Sequence, residues 1–194
     1  MSNCYHPELK LAFVHTPKCG GTAISRSLVY DHGFVNVEDG LWYDSSYDQL
    51  VKHVSDIEQY QIFTTIRNPV DWVISGYNYC NFYDLTFSEH VAAIIEPWTL
   101  INKHNDAEYQ SSLLHWYWHC ALQPPHHFPY HSVVFKLENI SDLEMWLTQK
   151  LDNQVKFDNS INKSHTKAPV ITESDIHSVH SWCEEYIIKY EYNF

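Results

Sequence analysis

A chain of 194 residues, 44% of them apolar and 15% aromatic, carries enough hydrophobic material for one domain with a sizeable core and argues against disorder. Its 24 acidic against 12 basic residues give a formal net charge of −12, with Arg26 and Arg67 as the two arginines, so nucleic acid, anionic membrane surfaces and highly sulfated polyanions are poor partners. Cys4, Cys19, Cys80, Cys120 and Cys183 are scattered, no basic-then-apolar leader stands at the start, and no apolar run reaches membrane-spanning length, so the expectation is a soluble, reduced, cytoplasmic protein.

In chain order, the apolar run Leu11–Val14 predicts a short buried strand. Pro17-Lys18-Cys19-Gly20-Gly21-Thr22 follows as a turn, and Ile24, Leu28 and Val29 recur at helical spacing beyond it. Strand, glycine turn and helix in that order build an anion site, because glycines let backbone N–H groups converge and the new helix adds its positive end. Lys18 contributes a mobile charge and Thr22 a hydroxyl. The order is not that of a Walker A loop, whose lysine follows the glycines and directly precedes Ser or Thr. A Gly-Gly pair alone also fits an ordinary βα turn that binds nothing. Cys19, at a helix start beside Lys18, is expected to show modest thiol reactivity that a bound ligand blocks.

Asp31-His32-Gly33 predicts the end of that helix, with Gly33 at C′. Residues 34–60 predict loops and one short helix around Tyr47–His53. Gln61–Ile66, β-branched and aromatic, predicts the second core strand, ending at Arg67. Asn68-Pro69 predicts a helix start, with Asn as N-cap and Pro as first helical residue, and Val70, Val73, Ile74 and Tyr77 continue at helical spacing. Thr86-Phe-Ser-Glu89 is a capping-box pattern for a helix to about residue 95. Residues 106–122 predict an aromatic-rich helix interrupted at Pro124-Pro125, and Ser132–Phe135 a third short strand. Ser141-Asp-Leu-Glu144 predicts a second capping box with an apolar stripe at Leu143, Trp146, Leu147 and Leu151, and a last helix is expected from Glu173 to Tyr190. Strands alternating with helices predict an α/β fold: a single domain over residues 1–194 with a parallel central sheet flanked by helices. Ligands in such sheets sit at the carboxyl ends of strands. Lys18–Thr22 and Arg67–Ser75 both follow strands directly and are expected to share one crevice.

Arg67-Asn-Pro69-Val-Asp-Trp72-Val-Ile-Ser75 joins a strand-end arginine to a serine eight residues on. An arginine fork suits a phosphate because it gives two parallel hydrogen bonds; taken alone, Arg67 also fits a salt bridge closing the strand end. Together the two segments resemble the paired signature of sulfotransferases that use 3′-phosphoadenosine 5′-phosphosulfate (PAPS), closest to the small members of the carbohydrate-type group. The likeness extends to Phe135-Lys-Leu-Glu138-Asn-Ile, to Asn162-Lys-Ser164 and to the closing Tyr-Glu-Tyr-Asn-Phe194, with residues 80–130 least matched. Trp72 is a departure, standing where many members have Arg.

The resemblance implies a P-loop-like sulfotransferase fold and PAPS as co-substrate, with 3′-phosphoadenosine 5′-phosphate (PAP) as product. It implies no metal, and a hydroxyl or amine of a carbohydrate or small metabolite as acceptor. It implies that Lys18 contacts the bridging oxygen or 5′-phosphate. Cys19, Gly20, Gly21, Thr22 and Ala23 would hold the sulfonate and 5′-phosphate, and Arg67 and Ser75 the 3′-phosphate. Asn162, Lys163 and Ser164 would add nucleotide contacts from a late loop. His53 is the implied base, since Lys52-His-Val-Ser resembles the Lys-His-Ala/Val segment of related enzymes, and an imidazole of pKa about 6.5 suits proton removal near neutrality. His15 is expected to shape the loop, with Glu38 and Glu138 as reserve bases.

Two rival classes differ in sequence demands. A nucleotide-dependent phosphotransferase of kinase-like P-loop type wants a Gly-Lys-Ser/Thr order and a magnesium carboxylate after a strand, and the sequence offers neither. A non-catalytic nucleotide- or metal-binding protein finds some support in His115, His119, His126, His127 and His131. That stretch lacks the His-Glu-x-x-His order, and Trp116, Tyr117 and Trp118 suit a core helix better. Trp42, Tyr43, Tyr79, Phe82, Tyr83 and Trp98 fit either core packing or stacking on an acceptor.

Overall fold

The computed structural model describes residues 3–37, 47–79, 85–96, 132–158 and 168–193. Cys4–His6 (β1) and Leu11–Val14 (β2) form an antiparallel pair around a turn in which Lys10 takes a φ of 52°. Gly21–Asp31 (α1) leads to Val35–Asn36 (β3), which pairs antiparallel with β1. Tyr47–His53 (α2) precedes Gln61–Ile66 (β4), which lies parallel to β2 with Leu11 opposite Gln61 and Val14 opposite Thr64. Val133–Lys136 (β5) lies parallel to β4, so the described strands run in the order β3-β1-β2-β4-β5.

The α/β class and the three expected core strands are present, but the sheet is mixed rather than parallel. The two antiparallel strands are three and two residues long, too short for alternation to register in the sequence. They complete one edge of the sheet, while the crossover core of β2, β4 and β5 is the part that sequence pattern reveals.

The remaining helices are Pro69–Tyr79 (α3), Phe87–Ile95 (α4), Ile140–Leu151 (α5), Glu173–Trp182 (α6) and Glu184–Lys189 (α7). The described residues belong to two compact units, Met1–Arg67 with His127–Lys163, and Asn68–His126 with Ser164–Phe194. In the first unit, β2 is buried on both faces. Leu11 and Phe13 pack with Ile24 and Leu28 of α1 and Leu143 and Leu147 of α5, while Ala12 and Val14 pack with Leu50, Val54, Ile57, Tyr60 and Ile62. Side chains alternate across a strand, so α1 and α5 cover one face of the sheet and α2 the other. The second unit has its own core of Val73, Phe87, Val91, Ala93, Ile94 and Val179.

Helix ends show which polar residues act locally. Asn68 Oδ1 accepts from the Val70 amide at 2.9 Å, and Thr86 with Glu89 forms the expected capping box. Gly33, at φ 74°, follows the end of α1, where the His32 and Phe34 amides both return to the Leu28 carbonyl. The expected Ser141–Glu144 box does not form. α5 begins at Ile140 with Asn139 as its N-cap, and no side chain caps it. Glu144 is buried and accepts instead from the Phe157 amide at 2.9 Å and Lys156 Nζ at 2.7 Å, fastening the chain that follows the helix. The expected last helix is two, α6 and α7, divided at Cys183, and Thr172 with Asp175 caps α6. No described helix is long and apolar enough to cross a membrane.

Candidate functional site

His15 to Gly20 connect β2 to α1, and two threonines of the neighbouring strand β4, with Arg67 just after it, grip this connection. Thr64 Oγ1 donates to the Val14 carbonyl at 2.8 Å, so the 2.9 Å contact between Thr16 and Thr64 has the Thr16 hydroxyl as donor. Thr65 Oγ1 donates to the Cys19 carbonyl at 2.8 Å, and Arg67 Nη1 to the Lys18 carbonyl at 3.3 Å. Thr64 and Thr65 are both fully buried, where an unsatisfied hydroxyl would cost on the order of 1–3 kcal/mol, and these loop carbonyls satisfy them. Hydroxyls in a buried strand are the signal that sequence reading passed over.

Two residues of the loop take left-handed backbone. Lys18 has a φ of 61° and Gly20 a φ of 76°. A non-glycine residue in the left-handed region is uncommon and concentrates at functional loops. Gly20 has a second reason to be glycine, since a Cβ there would lie 2.7 Å from Leu137 Cδ1, just beyond β5. A Cβ on Gly21 would overlap the imidazole of His15, coming within 2.7 Å of its Cγ and closer to Cδ2 and Nε2. His15 therefore does shape the loop, by lying against Gly21, and Asn3 Oδ1 accepts from its backbone amide at 2.8 Å.

Amide accounting narrows the expected donors. The Cys19 amide donates to the Thr16 carbonyl at 3.3 Å and the Ala23 amide to the Gly20 carbonyl at 3.0 Å. No backbone acceptor takes the amides of Gly20, Gly21 or Thr22 among the described residues. Carboxylates normally gather at helix amino ends. Here α2 to α7 each carry at least one in the first turn, and α1 carries none. In a chain with twice as many acids as bases, the first turn of α1 holds no carboxylate, and Lys18 stands three residues before it.

Cys19 corrects an expectation. Its side chain is 2% exposed, packed inward while its carbonyl meets Thr65, and buried thiols are inert. Elsewhere, burial pushes the Cys183 thiol up to about 12 and the Cys4 thiol higher still. Cys19 in the native protein is expected to resist iodoacetamide with or without nucleotide, read by peptide mass spectrometry; rapid labelling that nucleotide blocks would restore the reactive reading.

Arg67 and Lys18 are thus brought together on one loop within the first unit. Thr22 is half-buried in the first turn of α1. His53 closes α2 in an exposed position, with Nδ1 2.9 Å from the Gln49 carbonyl oxygen. A carbonyl only accepts, so Nδ1 carries the proton and Nε2 is the basic nitrogen. α2 covers the sheet face opposite α1. The chain leaves it towards Asp56, which pairs with Lys10 at 2.6 Å beside the amino end of β2. Ser75 sits half-buried in α3 of the second unit. Trp72 stacks on Trp182 with centroids 6.1 Å apart, so its side chain serves packing there. Asn162, Lys163, Ser164, Glu38, the histidines of 115–131 and the expected helix at 106–122 lie outside the described residues. Among the described residues, no three His, Cys, Asp or Glu side chains gather as a metal site requires. Comparison with protein-family models, with curated proteins and with solved structures finds no match.

Proposed function

We propose that the chain transfers a sulfonate group from PAPS to a hydroxyl or amine of a carbohydrate or small metabolite. The observation that carries this reading is the 3.3 Å bond from Arg67 to the carbonyl of Lys18, which brings the guanidinium that follows β4 onto the glycine loop that follows β2. The lack of a carboxylate in the first turn of α1, and the amides of Gly20, Gly21 and Thr22 that no described backbone carbonyl takes, support the same reading. In the reaction, the acceptor oxygen or nitrogen attacks sulfur in line as the bond from sulfur to the bridging oxygen breaks, and PAP departs with the electron pair. Lys18 and the loop amides stabilise charge on the leaving 5′-phosphate, Arg67 binds the 3′-phosphate, and His53 takes the acceptor proton on Nε2.

Calorimetry with PAP, AMP and ATP–magnesium tests the nucleotide. PAP is expected to bind best, and Arg67→Ala to lower PAP affinity roughly 10- to 100-fold, the range for one charge-assisted bond, while AMP changes less. Equal affinity for PAP and AMP, or an intact preference in Arg67→Ala, defeats the assignment. Labelled PAPS with a panel of acceptors reads turnover; His53→Ala should lose it while binding PAP almost normally, and full residual activity removes His53 as the base.

A further inference from the structure

We infer that Thr65 is a positioning residue for the anion loop: by holding the Cys19 carbonyl, it turns the Gly20 amide towards the bound phosphate or sulfonate. The inference rests on the reading of this loop as a phosphosulfate site. Thr65 is 0% exposed near the carboxyl end of a core strand, a place where valine would fill the same volume without a polar group. Its hydroxyl donates at 2.8 Å to a carbonyl 46 residues away, and that carbonyl shares a peptide plane with the Gly20 N–H. In a trans peptide the C=O and the N–H point in opposite directions, so fixing the Cys19 oxygen against β4 sends the Gly20 hydrogen away from β4. The preceding peptide behaves the same way: its Lys18 oxygen meets Arg67 and its Cys19 N–H turns back to Thr16. Two successive carbonyls are therefore anchored on one side, by Thr65 of β4 and by Arg67 just after it. The Gly20 amide, which no described backbone carbonyl takes, is left to the side where α1 begins. The left-handed backbone at Gly20 then swings the next amides into the same concavity, as nests of successive N–H groups do.

The chain has five glycines, so selective nitrogen-15 glycine labelling gives a spectrum simple enough to follow Gly20 and Gly21. Inorganic pyrophosphate and PAP are titrated into wild type, Thr65→Val and Thr65→Ser, alongside thermal unfolding of each. Thr65→Val should weaken both anions about tenfold, the size of one oriented hydrogen bond, and shift the Gly20 amide in the absence of ligand. Thr65→Ser, which keeps the donor, should restore affinity to within about twofold even where its melting temperature stays lowered by the missing methyl. A purely structural Thr65 would move melting temperature without moving affinity. Unchanged anion affinity in Thr65→Val, or no rescue by serine, overturns the inference. If the Gly20 amide follows pyrophosphate and depends on Thr65 but PAP is not preferred to AMP, the PAPS reading fails and the positioning role stands. If neither anion moves Gly20 or Gly21 in wild type, both fall. Should Thr65→Val not fold, Thr65→Cys, a weak donor of similar volume, is read in the same way.

Discussion

Gly21→Ala is expected to destabilise the first unit by roughly 3 kcal/mol and to abolish the proposed nucleotide binding, because the new methyl group and the His15 ring claim the same space. The His15 backbone is held just after β2 by the bond from its amide to Asn3, so the ring can withdraw only by turning about its own side-chain bonds. Gly21 lies in the first turn of α1 outside the left-handed region, so alanine suits its backbone and the penalty is steric. His15→Ala should therefore rescue Gly21→Ala, and denaturant unfolding of the four proteins in the cycle should give a coupling of about 1–3 kcal/mol. Gly20→Ala is the contrast. Trimming Leu137 there relieves the contact but leaves an L-residue at φ 76°, with about 1–2 kcal/mol of strain remaining. Additive costs for Gly21→Ala and His15→Ala would show that the ring does not pack on this glycine.

The loop and the strands under it were readable from the sequence because their information is local. Leu11–Val14 and Gln61–Ile66 are continuous apolar or β-branched runs, Asn68-Pro69 and Thr86–Glu89 carry their caps within four residues, and Gly20-Gly21 announces a bend. What escaped depends on distant partners. Glu144 has the spacing of a capping box, yet it bonds the Phe157 amide, because a carboxylate buried by the fold needs donors wherever the chain returns. Thr64 and Thr65 read as ordinary strand formers, and only the parallel register of β2 with β4 aligns their hydroxyls with the carbonyls of Val14 and Cys19. The amides available to a ligand follow from the same register: Cys19 was expected among the donors, and its N–H is already bonded to Thr16.

Histidine burial gives the second large effect. His90, on α4, is 2% exposed and packs edge-on against Tyr77 with centroids 5.5 Å apart in the core of the second unit. Burial pushes its pKa from 6.5 down to about 4, so the folded protein holds it neutral. Between those values the unfolded chain binds a proton that the folded chain refuses, and stability falls as pH drops from about 6.5 towards 4. Above that window the contribution is constant. The loss should reach about 2 kcal/mol by pH 5 and roughly 3 kcal/mol below pH 4, a large part of an ordinary domain's stability. His180, on α6, adds to it in the same direction, its pKa lowered by burial and by the neighbouring His177. Asp175 acts in a lower window: burial alone would raise its pKa, but the Thr172 amide and hydroxyl with the Ser88 hydroxyl hold it below the usual carboxylate value. Its contribution is present above the ordinary carboxylate pKa and is lost as pH falls through the lowered one. Reduction of the net charge of −12 works the other way, easing self-repulsion as acids protonate, so the raw pH curve mixes the terms. The variant His90→Leu isolates one of them. Its stability relative to wild type, from urea unfolding at pH 7.5, 6, 5 and 4.5, should improve steadily as pH falls, and the wild-type His90 ring should titrate near 4 by NMR. Parallel curves for the two proteins, or a ring that titrates near 6.5, would remove His90 as the source of acid sensitivity.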